Sequence, residues 1–340
     1  MQMKIPSVIF LNPNRVERGY KGGKILDELE GKKNPSDSYF PEDWIASTVK
    51  VANRGKETYN EGISRVNIAG KEYLLTEFLK DHGEDILGDE HIAKYGRNMP
   101  FLVKLLDSSI RLNFQAHPDT AFAKRYLNSN HGKTEAYVIL GFRENTKSPY
   151  IYLGFQNSPT KEEWKEIISR QDIEKMETCF EKIPVGRGDV FIIPPGLPHA
   201  IGEGIFMIEI MEPTDFTVVA EFEKDGYVLP EEARFMGLGI NRCLDVFDYT
   251  AYNVEDIEKR YRIAPKKIQQ ANKGYEEELI SQDITPYFRV NRISIKDKWR
   301  DKSEQSYFIN IVSKGKGIVR CDSQETEIKY GSRFLVPQCS

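Results

Sequence analysis

The residues best suited to chemistry are two histidines, a glutamate and a glutamine that stand beside glycine or proline turns. The chain has only five histidines. Gln115 and His117 are two residues apart, so on a strand both side chains point to the same face. Glu135 begins an apolar run, and His199 directly follows a proline-rich turn.

Two imidazole nitrogens, a carboxylate and an amide oxygen can together hold a divalent transition metal. The set contains no thiolate, so zinc, cobalt, manganese and iron all fit the ligand types. A single histidine is more often a surface or core hydrogen-bonding residue than a ligand. The combination of donor types at turn-flanked strand ends is what predicts a metal site.

The elements that must position these residues are predicted to be mainly strands. The chain is rich in tyrosine (17), phenylalanine (18) and glycine (25), a composition that favours strands joined by turns. Short apolar runs bounded by turn residues occur at 101–106, 136–141, 150–155, 189–193 and 204–210. Their connections are too short for parallel crossovers, so antiparallel pairing is expected.

Helices are predicted to interrupt the strands. Thr160 followed by Glu163 is a capping-box pattern that opens a helix over 161–170. A second helix is expected at 172–180, and the segment 74–95 is expected to be partly helical. Another helix is expected from Pro230 towards residue 247, although Gly237 and Gly239 weaken its middle.

The length of 340 residues predicts two domains. Segments 188–196 and 331–339 share a glycine, a phenylalanine and a proline at equal offsets, which favours an internal duplication. The second copy stops at Ser340, so the second β-barrel is expected to be incomplete. The predicted division is 1–252, a polar linker over 253–278, and 279–340.

The formal net charge of -4 argues against a nucleic-acid or membrane-surface partner, but not against a local cationic pocket. The four cysteines are far apart and form no CxxC, which argues against a disulfide framework or a cysteine zinc site. No signal peptide and no membrane-length apolar run are evident. A cytoplasmic location is therefore predicted, and the oligomeric state stays open.

Taken together, the motifs resemble those of type I mannose-6-phosphate isomerases, of the cupin superfamily. The segments that carry the resemblance span most of residues 5–250: Gly22-Gly23, 41–47, 101–107, 115–119, 132–135, 194–204, Glu209 and 214–215. The resemblance implies a mainly β fold of two cupin domains, each a jelly-roll-like barrel, with helical insertions.

The resemblance also implies a ligand set and an activity. Gln115, His117, Glu135 and His199 match the family's ligands for one zinc ion. The implied reaction interconverts mannose 6-phosphate and fructose 6-phosphate through an enediol intermediate, whose negative charge a metal can stabilise.

The roles of the other site residues follow from the same resemblance. Lys104, Lys133 and Asp215 match residues that line the substrate site, and they are predicted to be catalytic. Arg111 and Glu209 are predicted to bind substrate, Arg111 by meeting the phosphate together with the lysines. The lysines, Glu209 and Asp215 all remain candidates for the general base.

One departure from the family pattern stands at Val219, where the family usually carries an arginine. Valine can neither donate a hydrogen bond nor balance charge. A catalytically impaired or non-catalytic cupin that binds a sugar phosphate is therefore the alternative function, and another cupin metalloenzyme is a third. The candidates to supply the missing charge are Arg234, Arg242, Lys224 and Arg111.

Overall fold

The computed structural model describes residues 5–52, 60–271, 273–300, 306–321 and 324–338. Within these ranges strands outnumber helices, which confirms the mainly β prediction. The strands are β1 (Ile9–Phe10), β2 (Arg15–Val16), β3 (Glu42–Ile45), β4 (Arg65–Ile68), β5 (Lys71–Leu74), β6 (Leu102–Asp107), β7 (Gln115–Ala116), β8 (Glu135–Phe142), β9 (Tyr150–Leu153), β10 (Ile183–Pro184), β11 (Val190–Ile193), β12 (His199–Ile201), β13 (Ile205–Met211), β14 (Val218–Val219), β15 (Glu223–Lys224), β16 (Tyr227–Val228), β17 (Arg262–Ile263), β18 (Lys266–Ala271), β19 (Gly274–Ile280), β20 (Val290–Ile295), β21 (Phe308–Ile311), β22 (Lys316–Cys321), β23 (Gln324–Lys329) and β24 (Arg333–Val336).

The helices of the described ranges are fewer than the strands and lie between them. They are α1 (Lys24–Leu29), α2 (Leu75–Leu87), α3 (Asp89–Tyr95), α4 (Thr120–Tyr126), α5 (Lys161–Arg170), α6 (Ile173–Thr178), α7 (Glu231–Arg234), α8 (Ile240–Cys243) and α9 (Val254–Tyr261), with a 3₁₀ turn at Leu244–Val246. No helix in the described ranges has both the length and the apolar character needed to cross a membrane.

Two sheets form the layers that enclose the predicted metal ligands. The larger has seven strands in the order β17-β11-β8-β13-β6-β3-β2, and the smaller has five in the order β10-β9-β12-β7-β14. Every pairing in both sheets is antiparallel, as the short connections predict.

Alternation along the central strands sends side chains into two separate cores. In β8, Tyr137 and Ile139 pack with Leu153 of the five-stranded sheet. Ala136 and Val138 point to the opposite face and pack in another cluster. Because side chains alternate along a strand, Glu135 shares the face of Tyr137 and points between the two sheets.

The outer face of the five-stranded sheet is covered by α5 and α6. Trp164 of α5 and Met176 of α6 pack there with Phe114 and Tyr152. Helix α5 has the predicted bounds, and Thr160 begins it with a complete capping box. The sheet is therefore apolar on both faces except where it meets the predicted ligands.

The single helix predicted from Pro230 towards residue 247 is wrong. The segment forms α7, α8 and a 3₁₀ turn, because the chain between them has positive φ angles at Met236, Gly237 and Gly239. The segment 74–95 likewise divides into α2 and α3 at Gly88, whose φ is 87°.

The C-terminal part adds two three-stranded sheets, in the orders β1-β24-β21 and β18-β19-β20. The segment proposed as a linker, 253–278, contains α9, β17 and β18 and most of β19. Gly188 and Gly331 both have positive φ and each precedes a strand, as the predicted duplication requires. Cys339, at the end of the second copy, lies outside the described residues. The domain bounds and the duplication stay predictions.

A buried ion pair joins the C-terminal sheet to the seven-stranded sheet. Nη2 of Arg333, on β24, lies 2.6 Å from Oδ2 of Asp43, on β3, and both residues are buried. The other oxygen of Asp43 accepts a hydrogen bond from the backbone N–H of Asn14 at 2.6 Å. Strand β3 is thus held from the side of the sheet opposite to Glu42 and Trp44.

Arg333→Met is expected to destabilise the protein by about 3–5 kcal/mol, because it leaves Asp43 as an unpaired buried charge. Urea denaturation followed by circular dichroism measures this loss. The matched control is Arg320→Met, which breaks an exposed pair with Glu325 and should cost no more than about 1 kcal/mol. Equal, small effects of both substitutions would contradict the role given to Arg333.

Candidate functional site

Three of the four predicted metal ligands meet between the two sheets. Glu135 begins β8, His117 follows β7, and His199 begins β12. Nε2 of His117 is 3.1 Å from one oxygen of Glu135, and Nε2 of His199 is 3.6 Å from the other. One ligand atom from each residue lies within 4.8 Å of the other two. A single metal ion can bridge atoms at this spacing.

The second nitrogen of each imidazole ring faces a backbone carbonyl oxygen. Nδ1 of His117 is 2.9 Å from the oxygen of Phe216, and Nδ1 of His199 is 2.8 Å from that of Leu197. A carbonyl oxygen can only accept, so each Nδ1 carries the proton and each Nε2 presents its lone pair to the centre. Burial also lowers the pKa of His117 to about 3, which keeps its ring neutral.

Two atoms at the centre lack a hydrogen-bond partner among the described residues, Nε2 of His117 and Oε1 of Glu135. Both are buried, and buried polar atoms in native proteins are almost always satisfied. Gln115 pairs in register with His199, and its amide nitrogen is 3.2 Å from Nε2 of that histidine. Gln115 therefore lies beside the three-residue cluster, with its amide nitrogen turned towards His199.

The loop before Glu135 is held tightly against the His117 segment. A Cβ at Gly132 would lie 2.7 Å from the backbone oxygen of Pro118, so this position admits only glycine without a shift. The backbone N–H of Lys133 donates to the same oxygen at 3.0 Å. Glu212 accepts hydrogen bonds from the N–H groups of Gly132 and Thr134 at 3.1 and 2.9 Å. These contacts fix where strand β8 begins relative to the His117 segment, and they therefore fix the position of Glu135.

A row of side chains crosses the seven-stranded sheet beside the metal centre. Tyr137, Glu209, Lys104 and Trp44 are register partners on β8, β13, β6 and β3. Nζ of Lys104 lies 3.1 Å from Glu209 and 3.5 Å from Glu42, and the lysine is 2% exposed. Burial alone would lower the pKa of Lys104, but the two carboxylates raise it above its usual value. The ammonium group stays charged.

Glu209 is the least stabilised carboxylate of this cluster. Burial raises its pKa to about 8, and the attraction of Lys104 only partly opposes this effect. Oε2 of Glu209 faces Lys104 without a hydrogen bond of normal geometry in the described part of the chain. This carboxyl group can therefore hold or release a proton near neutral pH.

Glu42 and Asp215, by contrast, are firmly ionised because Arg18 serves both. The guanidinium of Arg18 donates two hydrogen bonds to Asp215, at 3.0 and 2.6 Å, and its Nε lies 3.0 Å from Glu42. Tyr20 and Trp44 each donate a further hydrogen bond to Glu42 at 2.7 Å. Against the effect of burial, Arg18 and Lys104 lower the pKa of Glu42 to about 2, and Arg18 lowers that of Asp215 well below its usual range.

Lys133 completes the group. Its Nζ is 3.0 Å from Oε1 of Glu135 and 3.3 Å from the hydroxyl of Thr217. A buried set of cations and carboxylates thus adjoins a three-residue metal cluster, which is an arrangement suited to proton transfer beside a Lewis acid.

Comparison with known proteins gives a consistent result. Residues 16–142 match the sequence model of the catalytic domain of type I phosphomannose isomerase. The chain is 29% identical over 330 residues, 97% of its length and 93% of the relative's, to the probable mannose-6-phosphate isomerase GmuF of Bacillus subtilis.

Solved structures share the fold. A crystal structure of the mannose 6-phosphate isomerase from Bacillus subtilis matches with a TM-score of 0.74, at 21% identity, over 98% of this chain and 94% of that one. A zinc-bound mannose 6-phosphate isomerase matches with a TM-score of 0.72, at 15% identity, over 98% and 95%. The family model, the relative and the solved structures all point to type I phosphomannose isomerases. The resemblance seen in the motifs is thereby confirmed.

The structure brings Lys104, Lys133, Glu209 and Asp215 together, but not Arg111. Arg111 donates to Glu221 at 2.7 and 3.1 Å, and lies over the ring of Phe114. No described contact joins it to the metal ligands or to the buried lysines. The substrate-binding role of Arg111 stays a prediction with no contact behind it.

The charge missing at Val219 is likewise not replaced by any of the residues considered from sequence. Val219 pairs in register with Gln115, beside the metal centre. Lys224 pairs with Glu221, and Arg234 and Arg242 lie over the rings of Phe222 and Tyr126. The arginine that does reach the cluster is Arg18, which sequence reasoning missed.

His199→Ala is expected to lower metal affinity at least tenfold while the fold is kept, because it removes one of three converging donors. The metal-to-protein ratio after dialysis, with circular dichroism as the folding check, measures this. His131→Ala is the matched control, since His131 is half-exposed and lies outside the cluster. Metal content that is unchanged in His199→Ala would reject this ligand.

Proposed function

We propose that the protein is a zinc-dependent isomerase that interconverts mannose 6-phosphate and fructose 6-phosphate. The observation that carries the proposal is the His117–Glu135–His199 cluster, which adjoins buried acid–base residues in a chain that matches the phosphomannose isomerase catalytic-domain model over residues 16–142. Gln115, His117, Glu135 and His199 would hold Zn²⁺. Their neutral nitrogens, carboxylate and amide suit that ion. When bound, the ion supplies Lewis-acid stabilisation of negative charge on the substrate oxygens.

The isomerisation moves one proton between C1 and C2 and a second proton between the oxygens of these carbons, and the carbonyl group shifts with them. A base must take the proton from one carbon and return it to the neighbouring one, by way of an enediol. Asp215 is poorly suited, because Arg18 holds its carboxylate in a bidentate pair. Lys104 is poorly suited, because two carboxylates keep its ammonium group protonated.

Glu209 is the group that we expect to transfer the proton. It has a raised pKa and few hydrogen bonds, so its carboxylate is the most basic of the cluster. In the aldose-to-ketose direction it takes the proton from C2 and delivers it to C1. Lys104 stabilises the carboxylate form of Glu209. Lys133, beside Glu135, can donate to the oxygen that carries the developing charge.

The alternative is a protein that binds the sugar phosphate without isomerising it. The observation in its favour is Val219, which adjoins Gln115 and supplies no charge there. The two functions differ in turnover but not in binding.

The purified protein is expected to convert mannose 6-phosphate to fructose 6-phosphate in a coupled assay. Removal of the metal with a chelator should abolish turnover, and added Zn²⁺ should restore it. A melting shift with mannose 6-phosphate, but no turnover by the zinc-loaded protein, would favour the alternative. Full turnover by a metal-free sample would reject the role of the metal.

Glu209→Gln is expected to lower kcat at least about 100-fold, because the amide cannot accept the substrate proton. Its metal content should equal that of the unmodified protein. Since the base works when deprotonated, kcat/KM of the unmodified protein should fall as pH drops through the pKa of Glu209, above the usual range of glutamate. Exposed Glu203→Gln is the control and should leave kcat unchanged. A loss below tenfold would assign the proton transfer to another group.

A further inference from the structure

Arg18 is the cation on which two buried carboxylates of the cluster depend. Its guanidinium makes a bidentate pair with Asp215 and contacts Glu42 through Nε. The group also lies over the ring of Trp44, 5.4 Å from the ring centre. Its side chain is 16% exposed, compared with 2% for Lys104, so it closes the cluster on the solvent side.

The contacts of Glu42 determine where Lys104 lies. Oε2 of Glu42 receives Nε of Arg18 at 3.0 Å and Nε1 of Trp44 at 2.7 Å. Lys104 is farther away, at 3.5 Å, and it lies closer to Glu209, at 3.1 Å. Because Arg18 already neutralises the charge of Glu42, Lys104 forms its closer ion pair with Glu209.

We propose that Arg18 is a positioning residue for the proton transfer: by neutralising Glu42 and Asp215, it keeps Lys104 paired with Glu209. Arg18 acts through these neighbours and need not touch the substrate. The inference rests on the proposed function, because it assigns Arg18 a part in the same reaction.

The charges around Glu209 give the direction of the effect. Lys104 faces it from β6 and Glu42 from β3, while Glu135, Lys133 and Tyr137 face it from the β8 side. Without Arg18, the cation of the described residues that acts most strongly on both Glu42 and Asp215 would be Lys104. Lys104 would move towards them, and Glu209 would lose its partner.

A glutamate that loses its cation holds its proton more strongly. The pKa of Glu209 should therefore rise when Arg18 becomes neutral. Because Glu209 must be deprotonated to act as a base, the acid limb of the kcat/KM profile should move to higher pH.

The experiment compares four variants with the zinc-loaded protein. Arg18→Met and Arg18→Gln remove the charge, and the glutamine retains a hydrogen-bonding group in case the methionine variant does not fold. Arg18→Lys keeps the charge but not the bidentate geometry. Arg15→Met is the matched control, because Arg15 is similarly buried, lies three residues earlier and also serves two carboxylates, Asp27 and Glu30.

Two measurements are made on each variant: the pH profile of kcat/KM with mannose 6-phosphate, and the titration of Glu209 by ¹³C NMR in protein labelled at the glutamate carboxyls. Glu209→Gln assigns the resonance. The two neutral variants should raise both apparent pKa values by about one unit or more, in line with the loss of one nearby opposite charge. Arg18→Lys should give a smaller rise, and Arg15→Met none.

The inference is overturned if both neutral variants titrate like the unmodified protein, or if Arg15→Met shifts the pKa as much as they do. The NMR titration does not require turnover. A shift of the Glu209 resonance in a protein without isomerase activity would reject the proposed function and support the link from Arg18 to Glu209. Normal isomerase activity with no shift of the Glu209 resonance would support the proposed function and reject the link from Arg18 to Glu209.

Discussion

Ionised groups buried between two sheets must be paired, and the arrangement of this molecule follows from that constraint. An unpaired charge in a low-dielectric interior costs several kcal/mol, so each carboxylate there needs a cation or several hydrogen-bond donors. Glu42 and Asp215 have Arg18, and Glu135 has Lys133 and the imidazole rings. Among the described residues, Glu209 forms its close ion pair with Lys104, which Glu42 also contacts. Because the cations are shared unevenly, Glu209 differs from the other carboxyl groups, and it is the one that we propose as the base.

The register of the strands brings these paired groups together in one site. One row crosses the seven-stranded sheet through Tyr137, Glu209, Lys104 and Trp44, and a second crosses the five-stranded sheet through Leu153, His199, Gln115 and Val219. A slip of one residue would send the side chains of a row to the opposite face, into the apolar clusters. The geometry of the site therefore depends on the hydrogen bonds that Glu212 accepts at the start of β8 as well as on the ligands themselves.

Local pattern was enough to predict the strands, helix α5 and the meeting of His117, Glu135 and His199. These depend on alternation, on a capping box and on residues beside turns, all of which are short-range. Arg18 could not be found in this way, because its partner Asp215 is 197 residues distant in sequence and no periodicity marks it. The partner of Arg111 could not be found from sequence for the same reason: its side chain suits a phosphate, but it pairs with Glu221 on a distant segment. The helix beyond Pro230 was overestimated, although Gly237 and Gly239 already weakened it.

The two sheets contribute different kinds of groups to the centre. The row on the five-stranded sheet is neutral, with His199, Gln115 and the apolar Leu153 and Val219, and neighbouring His117 is neutral as well. The buried charges come from the seven-stranded sheet and the segments adjoining it. A divalent ion at this centre would meet one carboxylate, Glu135, and would keep about one unit of positive charge for the oxygens of a substrate. Arg18, in turn, pairs with Glu42 and Asp215, two carboxylates that are not among the predicted metal ligands.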